Sequence, residues 1–159
     1  MNLSLNLRSL EPDDINFLLR IENDESLWKY SNTTKPYSRE VLQTHIENSK
    51  EDFFTAKQQR FVLNDFESNI YGLIDLFDYD HQNSRASIGI VIASEWRRNG
   101  FAKSGLKLLQ KHAVEQLNLS QLYAYVGIDN IPSRALFKAA GFQEKLITDK
   151  ILVQKKINA

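Results

Sequence analysis

The chain has 159 residues, of which 42% are hydrophobic and 11% aromatic. This size and composition favour one globular domain over residues 1–159. Lys plus Arg and Asp plus Glu both number 20, a balance that argues against a nucleic-acid-binding surface or a polybasic membrane patch. The absence of cysteine excludes disulfides, thiolate zinc sites and a cysteine nucleophile.

The chain shows no targeting or metal-binding pattern. Its N-terminal stretch lacks the features of a signal peptide, and no apolar run approaches the roughly 20 residues that cross a bilayer. We therefore expect a cytoplasmic protein with no membrane partner. His45, His81 and His112 are scattered without metal-ligand spacing, so no metal site is expected, and His112 is expected at the surface.

The N-terminal part predicts one strand and two helices. Leucines alternate with polar residues from Asn2 to Arg8, which is the period of a half-buried strand. Pro12 and the acids after it favour the start of a helix. Ser38 is a typical cap for a second helix, which is expected to run to about Ser49. The stretch WKYSNTTKPYS between the two helices reads as a loop.

A three-stranded antiparallel meander is predicted next. The strands RFVLND and IYGLIDLFDYD flank a turn at Asp65–Asn69. A third strand, RASIGIVIA, follows the turn HQNS. The near-continuous apolar end of this third strand favours burial on both of its faces.

The C-terminal part predicts a β-α-β unit followed by two strands. A long helix begins after Gly100, and the strand LYAYVG comes next. The stretch IPSRALFKAAG is typical of a helix, with Pro132 in its first turn and Gly141 as its stop. The last two strands lie in FQEKLITDKILVQKKI. The order β-α-α-β-β-β-α-β-α-β-β predicts an α/β (α+β) fold whose mixed, mostly antiparallel sheet is flanked by helices.

The junction between strand and helix at Gly100 carries the first functional signal. No Ser, Thr or Asp stands beside this glycine to cap the helix, and the first turn carries Lys103 instead of acids. A cation there is unfavourable for the dipole of an isolated helix. It suits a bound phosphate, because the first N–H groups of a helix are unpaired and Arg97 and Arg98 can add charge-assisted hydrogen bonds.

Two interpretations of this junction stay open at this point. Gly100 can open a phosphate site, or it can simply make a turn beside two solvated arginines. A Walker A loop is excluded because no Gly-Lys-Ser/Thr ends the motif, and the single glycine makes a poor dinucleotide fingerprint.

Two motifs in the right order resemble the GNAT superfamily of acetyl-CoA-dependent N-acetyltransferases. Arg97-Arg98-Asn99-Gly100-Phe101-Ala102 is similar to that family's Gln/Arg-x-x-Gly-x-Gly/Ala pyrophosphate loop. The stretch NIPSRALFKAAGF from Asn130 to Phe142 resembles its second signature, Asn-x-x-Ser/Ala…Gly-Phe. LRSLEPDD and IGIVIASEWRRNGFA look like the branch that includes ribosomal-protein N-terminal and polyamine acetyltransferases.

The resemblance implies a GNAT-like fold with acetyl-CoA as co-substrate. The pantetheine arm would pair with the backbone of the fourth strand where that strand separates from the fifth, and Asn130 and Ser133 would bind near its reactive end. The cofactor-binding residues implied in this way are Ile90, Val91, Ile92, Arg97, Arg98, Asn99, Gly100, Phe101, Ala102, Lys103, Asn130 and Ser133. From the residues alone, Ile90, Val91 and Ile92 are equally good core residues, and Asn130 is equally a helix cap.

Acetyl transfer to an amine needs a neutral amine and a proton for the leaving thiolate. The tyrosine often found in the family's second signature is Phe137 here, which has no proton to give. The glutamate often found early in the fourth strand aligns with Ser87, which can hold a water. The candidate catalytic residues are therefore Ser87, Asn130 and Ser133, with direct attack by the amine and water carrying the protons.

The sequence thus predicts an enzyme, an N-acetyltransferase acting on the primary amine of a protein N-terminus, a polyamine or another small molecule. Acids and aromatics can receive a cationic amine, although a charged loop is more often only solvated. The candidates are Asp75, Asp78, Tyr79 and Asp80 in one group, and Glu22, Asp24, Glu25, Trp28 and Tyr30 in another.

Two other functions compete with this one. The first is a CoA-binding module of the same fold with weak or no catalysis, which the loss of tyrosine and glutamate motivates. The second is a nucleotide-phosphate binder of another fold. We expect a monomer or weak homodimer in each case, because the sequence holds no heptad seam or long apolar tail.

Overall fold

The computed structural model describes residues 4–30 and 34–158. Its helices and strands are, in chain order, β1 (Asn6–Ser9), α1 (Ile15–Glu22), α2 (Arg39–Asn48), α3 (Phe53–Ala56), β2 (Gln59–Asn64), β3 (Ile70–Asp80), β4 (Arg85–Ile92), α4 (Phe101–Glu115), β5 (Gln121–Gly127), α5 (Ile131–Ala139), β6 (Gln143–Ile147) and β7 (Lys150–Lys156). Short 3-10 turns occupy Pro12–Asp14, Glu25–Tyr30 and Ser94–Trp96. Apart from these turns and α3, the order is the predicted one.

The seven strands form one mixed sheet in the order β1-β2-β3-β4-β5-β7-β6. Strands β2, β3 and β4 make the predicted antiparallel meander. Strand β5 lies parallel to β4, as the α4 crossover requires. Strand β7 pairs antiparallel with both β5 and β6. The predicted fold class is confirmed.

Contacts divide the chain into two units, Ser9–Glu51 and the combination of Met1–Arg8 with Asp52–Ala159. In the smaller unit α1 packs on α2 and buries Leu18, Ile21, Leu42 and Ile46. The N-terminus of α2 is capped as predicted, because the Ser38 side chain accepts a hydrogen bond from the N–H of Val41. A single domain over residues 1–159 stays a prediction.

The core of the larger unit joins helix α4 to the meander. Helix α4 contacts both β3 and β4, and it buries Leu106, Leu109 and Ala113 completely. The strand residues of the same apolar cluster include Phe61, Leu63, Ile74, Leu76 and Ile88. This packing holds the start of α4 close to the end of β4, where the glycine loop lies.

Four segments differ from the sequence-based expectation or lie beyond what the structure describes. Helix α3 is not predicted because four residues are too few for a periodic pattern; Asp52 caps it by accepting from the N–H groups of Phe54 and Thr55. Trp28 begins the predicted loop but belongs to a 3-10 turn. Residues 2 and 3 of the predicted first strand and residues 31–33 of the loop lie outside the described residues.

No helix within residues 4–30 and 34–158 is both long and apolar enough to cross a bilayer. The cytoplasmic location stays a prediction.

Candidate active site

The two parallel strands at the centre of the sheet separate after a short contact. Only the first three residues of β4 pair with β5, and the last pair joins Ser87 to Tyr123. Strand β4 runs on to Ile92 with β3 as its partner, and β5 runs on with β7 as its partner. The backbone edges of β4 and β5 therefore face each other across an opening that widens beyond Ser87.

This opening corrects the expectation that the apolar end of β4 is buried on both faces. Ile90 and Val91 are only half-buried, whereas Ile88 and Ile92 are buried. The cause is the departure of β5, which leaves this part of β4 without a strand on that edge in the described structure. The backbone of Ile90, Val91 and Ile92 lies where the resemblance places the pantetheine arm.

Ser87 and Tyr123 stand at the closed end of the opening and share one face of the sheet with Phe77, the partner of Ser87 on β3. Ser87 is 3% exposed and Tyr123 is 8% exposed. Burial raises the pKa of the Tyr123 hydroxyl, while the guanidinium of Arg85, 4.9 Å from the centre of its ring, acts in the opposite direction. The hydroxyl of Tyr123 is therefore protonated at neutral pH.

A carboxylate lies over the open part of β4. Asp75 pairs in register with Gly89, and a Cβ at residue 89 would lie 3.4 Å from Asp75 Oδ2. The other carboxylate oxygen, Oδ1, accepts a hydrogen bond of 2.8 Å from Arg60 Nε. Because Gly89 has no side chain, the carboxylate of Asp75 reaches across β4 beside the opening.

The other predicted acids of β3 lie on the far side of Ser87, toward the β3–β4 turn. Asp80 accepts from Asn83 Nδ2 at 2.7 Å and Arg85 Nε at 3.3 Å, and its pKa is lowered, chiefly by Asn83. Asp78 is exposed in a bulge. The Tyr79 hydroxyl lies 3.2 Å from Nδ1 of the exposed His81. This group belongs to the turn and not to the opening.

The candidate acids and aromatics of the smaller unit lie in or next to one 3-10 turn, where several of them make local hydrogen bonds. Asp24 accepts from the backbone N–H and the hydroxyl of Ser26, and Trp28 Nε1 donates to the carbonyl of Glu22 at 3.1 Å. Glu25 begins the same 3-10 turn and is exposed. The side chain of Tyr30 lies outside the described residues.

The start of α4 has the predicted open geometry. Gly100 has a φ of 80°, no side chain caps the helix among the described residues, and the first turn holds no acid. The first helical hydrogen bond runs from the N–H of Ser104 to the carbonyl of Gly100. The N–H groups of Phe101, Ala102 and Lys103 therefore have no acceptor within the helix. A Cβ at residue 100 would meet no atom within 4 Å, so the space beside Gly100 is open at the start of the helix.

Two side chains of this loop donate hydrogen bonds to nearby backbone carbonyls. Arg97 Nε donates to the carbonyl of Ile92 at 3.1 Å. Asn99 donates to the carbonyls of Trp96 and Arg97 at 3.2 and 3.0 Å. Arg98 is exposed and, with a φ of 65°, is left-handed like Gly100. Arg97 and Asn99 thus stabilise the loop backbone, although both are exposed like Arg98, and a ligand-binding role for Arg98 stays a prediction.

Phe101 and Lys103, both predicted to bind the cofactor, differ from each other in burial. Phe101 is 8% exposed, so its side chain belongs to the core and only its backbone N–H is a candidate for ligand binding. Lys103 is exposed in the first turn, where its ammonium can approach an anion bound at the helix start.

Asn130 and Ser133 come together at the start of α5, directly after β5. The side-chain oxygen of Asn130 accepts a hydrogen bond of 3.3 Å from the N–H of Ser133. The helix-cap interpretation of Asn130 is therefore confirmed, and a role in catalysis or ligand binding stays a prediction for both residues. Phe137 is 5% exposed, with its ring 5.0 Å from that of Phe142, so this position is part of the core.

No pattern in the sequence indicates that Tyr71 packs against the glycine loop. The ring of Tyr71, at the start of β3, is stacked on that of Phe101 with 4.0 Å between the ring centres. Tyr71 reads only as one apolar position of a strand, and no local pattern links it to a helix thirty residues later. Asp65, which accepts a hydrogen bond from the Tyr71 hydroxyl, lies in the Asp65–Asn69 turn. The sequence predicts this turn but not its hydrogen bond to Tyr71.

One histidine was placed wrongly. His112 is half-buried instead of lying at the surface, because its ring packs edge-on against Phe61 at 4.9 Å between ring centres. Burial lowers the pKa of His112, and its Nε2 lies 3.3 Å from Gln59 Oε1. Among the described residues, no group of three His, Cys, Asp or Glu side chains could hold a metal ion.

Comparisons with known proteins agree with this geometry. The family described as "Acetyltransferase (GNAT) domain" matches residues 4–143. A spermidine N(1)-acetyltransferase of Vibrio cholerae is 29% identical over 150 residues, which cover 91% of this chain and 82% of the relative. A Bacillus subtilis protein named only provisionally as a ribosomal N-acetyltransferase is 29% identical over 153 residues, 91% of this chain and 81% of that protein.

A solved structure extends the likeness to three dimensions. The spermidine N-acetyltransferase of Vibrio cholerae in complex with CoA and spermine has a TM-score of 0.83 and 26% identity, covering 96% of this chain and 95% of its own. The similarity in fold therefore extends over nearly the whole chain.

Proposed function

The chain belongs to the GNAT acetyltransferase family, and we propose that its acceptor is a primary amine of a polyamine such as spermidine. The expected activity, acetyl transfer from acetyl-CoA to an amine, is confirmed by the family match and by the acetyltransferases similar to the chain. The alternative of a CoA-binding module without catalysis is not favoured.

The observation that carries the polyamine proposal is the likeness to the enzyme solved with CoA and spermine, which spans nearly the whole chain. The site itself supports the same chemistry. Asp75 sets a carboxylate beside the opening between β4 and β5, and a polyamine is a chain of ammonium groups at neutral pH. Arg60 pairs with Oδ1 of this carboxylate, so we infer that a substrate ammonium approaches it from the side of Oδ2, which lies over Gly89.

We propose that acetyl-CoA binds with its pyrophosphate on the N–H groups of Arg98 to Lys103 and its pantetheine arm along Ile90, Val91 and Ile92. The exposed start of α4 provides the donors and the helix dipole for the phosphates. The free edge of β4 offers the pantetheine amides a strand to pair with. In this pose the thioester end points to the closed end of the opening, near Ser87 and Tyr123.

The reaction joins the amine nitrogen to the carbonyl carbon of the thioester and breaks the carbon–sulfur bond. The CoA thiolate leaves with the electron pair, and the new amide nitrogen loses a proton. The attacking amine must be neutral, because an ammonium has no lone pair. Asp75 favours the charged form of any amine beside it, so its suitable partner is a second, non-reacting ammonium of the polyamine.

The proton transfers are assigned to water and not to a dedicated side-chain acid. Phe137 is buried against Phe142 and has no proton to give. Ser87 stands at the closed end of the opening, where its hydroxyl can order a water. Positioning of the amine against the thioester then supplies most of the acceleration.

An acceptor panel tests the proposal. Thiol release from acetyl-CoA is followed with spermidine, spermine, a peptide with a free N-terminus and single amino acids, and the products are identified by mass spectrometry. We expect the highest kcat/KM with the polyamines and acetylation at a primary amine. A higher kcat/KM with the N-terminal peptide would assign the chain to the ribosomal-protein branch instead. Binding of CoA without turnover of any amine would reject catalysis.

We also propose that the protein is a monomer or weak homodimer. One solved relative, the spermidine N-acetyltransferase of Vibrio cholerae, forms a dodecamer, so the oligomeric state distinguishes this chain from that relative. Light scattering coupled to size exclusion measures it, and a stable tetramer or larger ring would overturn the proposal.

A further inference from the structure

We propose that Tyr71 is a positioning residue for the loop that receives the CoA pyrophosphate, and that it links this loop to the β2–β3 turn through Asp65. This inference rests on the proposed placement of acetyl-CoA but not on the identity of the acceptor. Tyr71 would act through the loop backbone and would not touch the reacting atoms.

Three contacts join Tyr71 to the segment from Ala93 to Phe101. At its beginning, the N–H of Ala93 donates to the carbonyl of Tyr71 at 2.9 Å. In its middle, the ring of Trp96 packs edge-on against that of Tyr71, with 4.9 Å between ring centres. At its end, Phe101 is stacked on Tyr71 at 4.0 Å, with 15° between the ring planes. The backbone of Tyr71 thus fixes the beginning of the segment, and its ring supports the middle and the end.

The other end of Tyr71 is fixed by a buried carboxylate. The Tyr71 hydroxyl donates to Asp65 Oδ2 at 2.5 Å, and Asp65 is only 5% exposed. The same carboxylate accepts from the N–H of Glu67 at 2.9 Å, and from the N–H and side-chain amide of Asn69 at 3.0 Å each. The hydrogen bonds from the turn therefore fix the position of the Asp65 carboxylate, which in turn fixes the hydroxyl of Tyr71.

The loop needs such support because its backbone is unusual. Arg98 and Gly100 both have left-handed φ angles, of 65° and 80°, and for Arg98 this conformation is intrinsically unfavourable. A phosphate binds well only when several N–H groups point to one place before it arrives, since ordering them on binding costs affinity. Fixing Trp96 and Phe101 on Tyr71 pre-organises the donors between and just after them.

A purely structural role for Tyr71 makes a different prediction. A core aromatic that only stabilises the fold would change the melting temperature but not the affinity of the folded protein for ligand. A positioning residue changes affinity for ligands that touch the loop and leaves ligands that do not touch it unaffected. CoA and pantetheine make this distinction, because pantetheine lacks the pyrophosphate.

Tyr71→Phe is the informative variant, since it keeps the ring and removes the hydroxyl. Titration calorimetry on the folded protein measures Kd for CoA and for pantetheine, at a temperature well below the melting transition. We expect the Kd for CoA to rise about tenfold, as for loss of one hydrogen bond to a charged group, and the Kd for pantetheine to change less than about twofold. Equal changes for both ligands, or an unchanged Kd for CoA, would overturn the inference.

Two further variants secure the test. Asp65→Asn removes the charge from the same hydrogen bond, and it should reproduce the selective loss of CoA affinity even if Tyr71→Phe fails to fold. Asp52→Asn is the matched control, because Asp52 is another carboxylate that accepts backbone N–H groups but lies exposed at α3; it should leave both affinities unchanged. Wild-type protein that binds CoA but acetylates no amine would reject the proposed function and leave this inference standing.

Discussion

Ser87 of β4 lies directly beside Tyr123 of β5, and beyond this pair the two strands separate. The pair combines a small hydroxyl that is 3% exposed with a phenol that is 8% exposed. Both side chains lie at the narrow end of the opening in which the thioester of acetyl-CoA is proposed to react. Tyr123 is therefore the alternative to water as the source of a proton for the leaving thiolate.

The water-relay hypothesis predicts little effect of Tyr123→Phe. This variant keeps the buried ring and removes the hydroxyl, so kcat with a good polyamine should fall less than about threefold, whereas loss of a general acid costs about 100-fold or more. The measurement is kcat at saturating acetyl-CoA. A loss of that larger size, in protein that still binds CoA with normal affinity, would assign the proton transfer to Tyr123.

The pH profile of the wild type gives a second test of the relay. Because a neutral amine attacks, kcat/KM for a monoamine acceptor, which has no second ammonium for Asp75 to bind, should rise with pH through the ionisation of the amine and show no falling limb between about pH 6 and about pH 10. Burial raises the pKa of Tyr123, so loss of its proton would occur above its ordinary value of about 10. A falling limb below that pH would indicate another side-chain acid and would contradict the relay.

Phe137→Tyr examines the position that often carries a tyrosine in relatives. Under the water-relay hypothesis the new hydroxyl changes kcat little or raises it, because CoA thiolate is a fair leaving group. Phe137 is buried against Phe142, so the added oxygen needs space, and the melting temperature is the control for misfolding. A large loss of kcat in a variant with an unchanged melting temperature would contradict this expectation.

Gly100→Asp should abolish the phosphate site without removing a core contact. A Cβ at residue 100 meets no atom within 4 Å, so the side chain would fit without a clash and add a negative charge at the start of the helix. Gly100→Asn is the matched control, because asparagine has the same shape, no charge and a tolerance for left-handed φ. We expect Gly100→Asp to bind CoA at least about tenfold more weakly than Gly100→Asn. Equal affinities, measured by calorimetry, would show that the pyrophosphate lies elsewhere.

The element order and the glycine loop are predictable from the sequence because their causes are local. Alternation and helical spacing reveal the strands and long helices, and the uncapped start of α4 follows from the residues around Gly100. The Asp65–Asn69 turn is visible for the same reason. Helix α3 is missed because its only signal is the single capping residue Asp52.

The contacts that join distant strands are not predictable in this way. Asp75 lies over Gly89 because of the register between β3 and β4, and that register shifts between Phe77 and Asp80. The shift places Asp78 in a bulge and pairs Asp80 with Arg85, and no pattern in the sequence predicts it. The stacking of Tyr71 on Phe101 likewise depends on how α4 packs against the meander.

Acid should remove a specific contribution of Asp65 to stability. Its hydrogen bonds, first of all that from Tyr71, lower its pKa from 3.8 to about 2 in the folded protein. Since the folded value lies below the unfolded one, the contribution is present above pH 3.8 and is lost as pH falls toward 2. The melting temperature of the wild type should therefore approach that of Asp65→Asn as pH falls through this range, measured by calorimetry. A difference that stays constant with pH would contradict this assignment.

Asp75 and Asp80 of β3 should differ in their effect on acceptor binding, a difference that the sequence does not reveal. Asp75 lies beside the opening at Gly89, whereas Asp80 pairs with Arg85 at the closed side of Ser87. If Asp75 attracts a distal ammonium of the acceptor, Asp75→Asn should raise KM for spermidine about tenfold, with kcat and the KM for acetyl-CoA changed much less. Its effect should shrink with a monoamine acceptor, which has no second ammonium to bind.

Asp80→Asn is the comparison for this prediction, because it removes the same charge from the same strand. It should leave KM for spermidine within about twofold of the wild type. Asp75→Glu keeps the charge next to Arg60 and should recover part of the affinity that Asp75→Asn loses. Steady-state kinetics with spermidine and a monoamine measure all three variants. Equal effects of Asp75→Asn and Asp80→Asn on KM for spermidine would show that only the overall negative charge of β3 matters, and that Asp75 does not bind the acceptor.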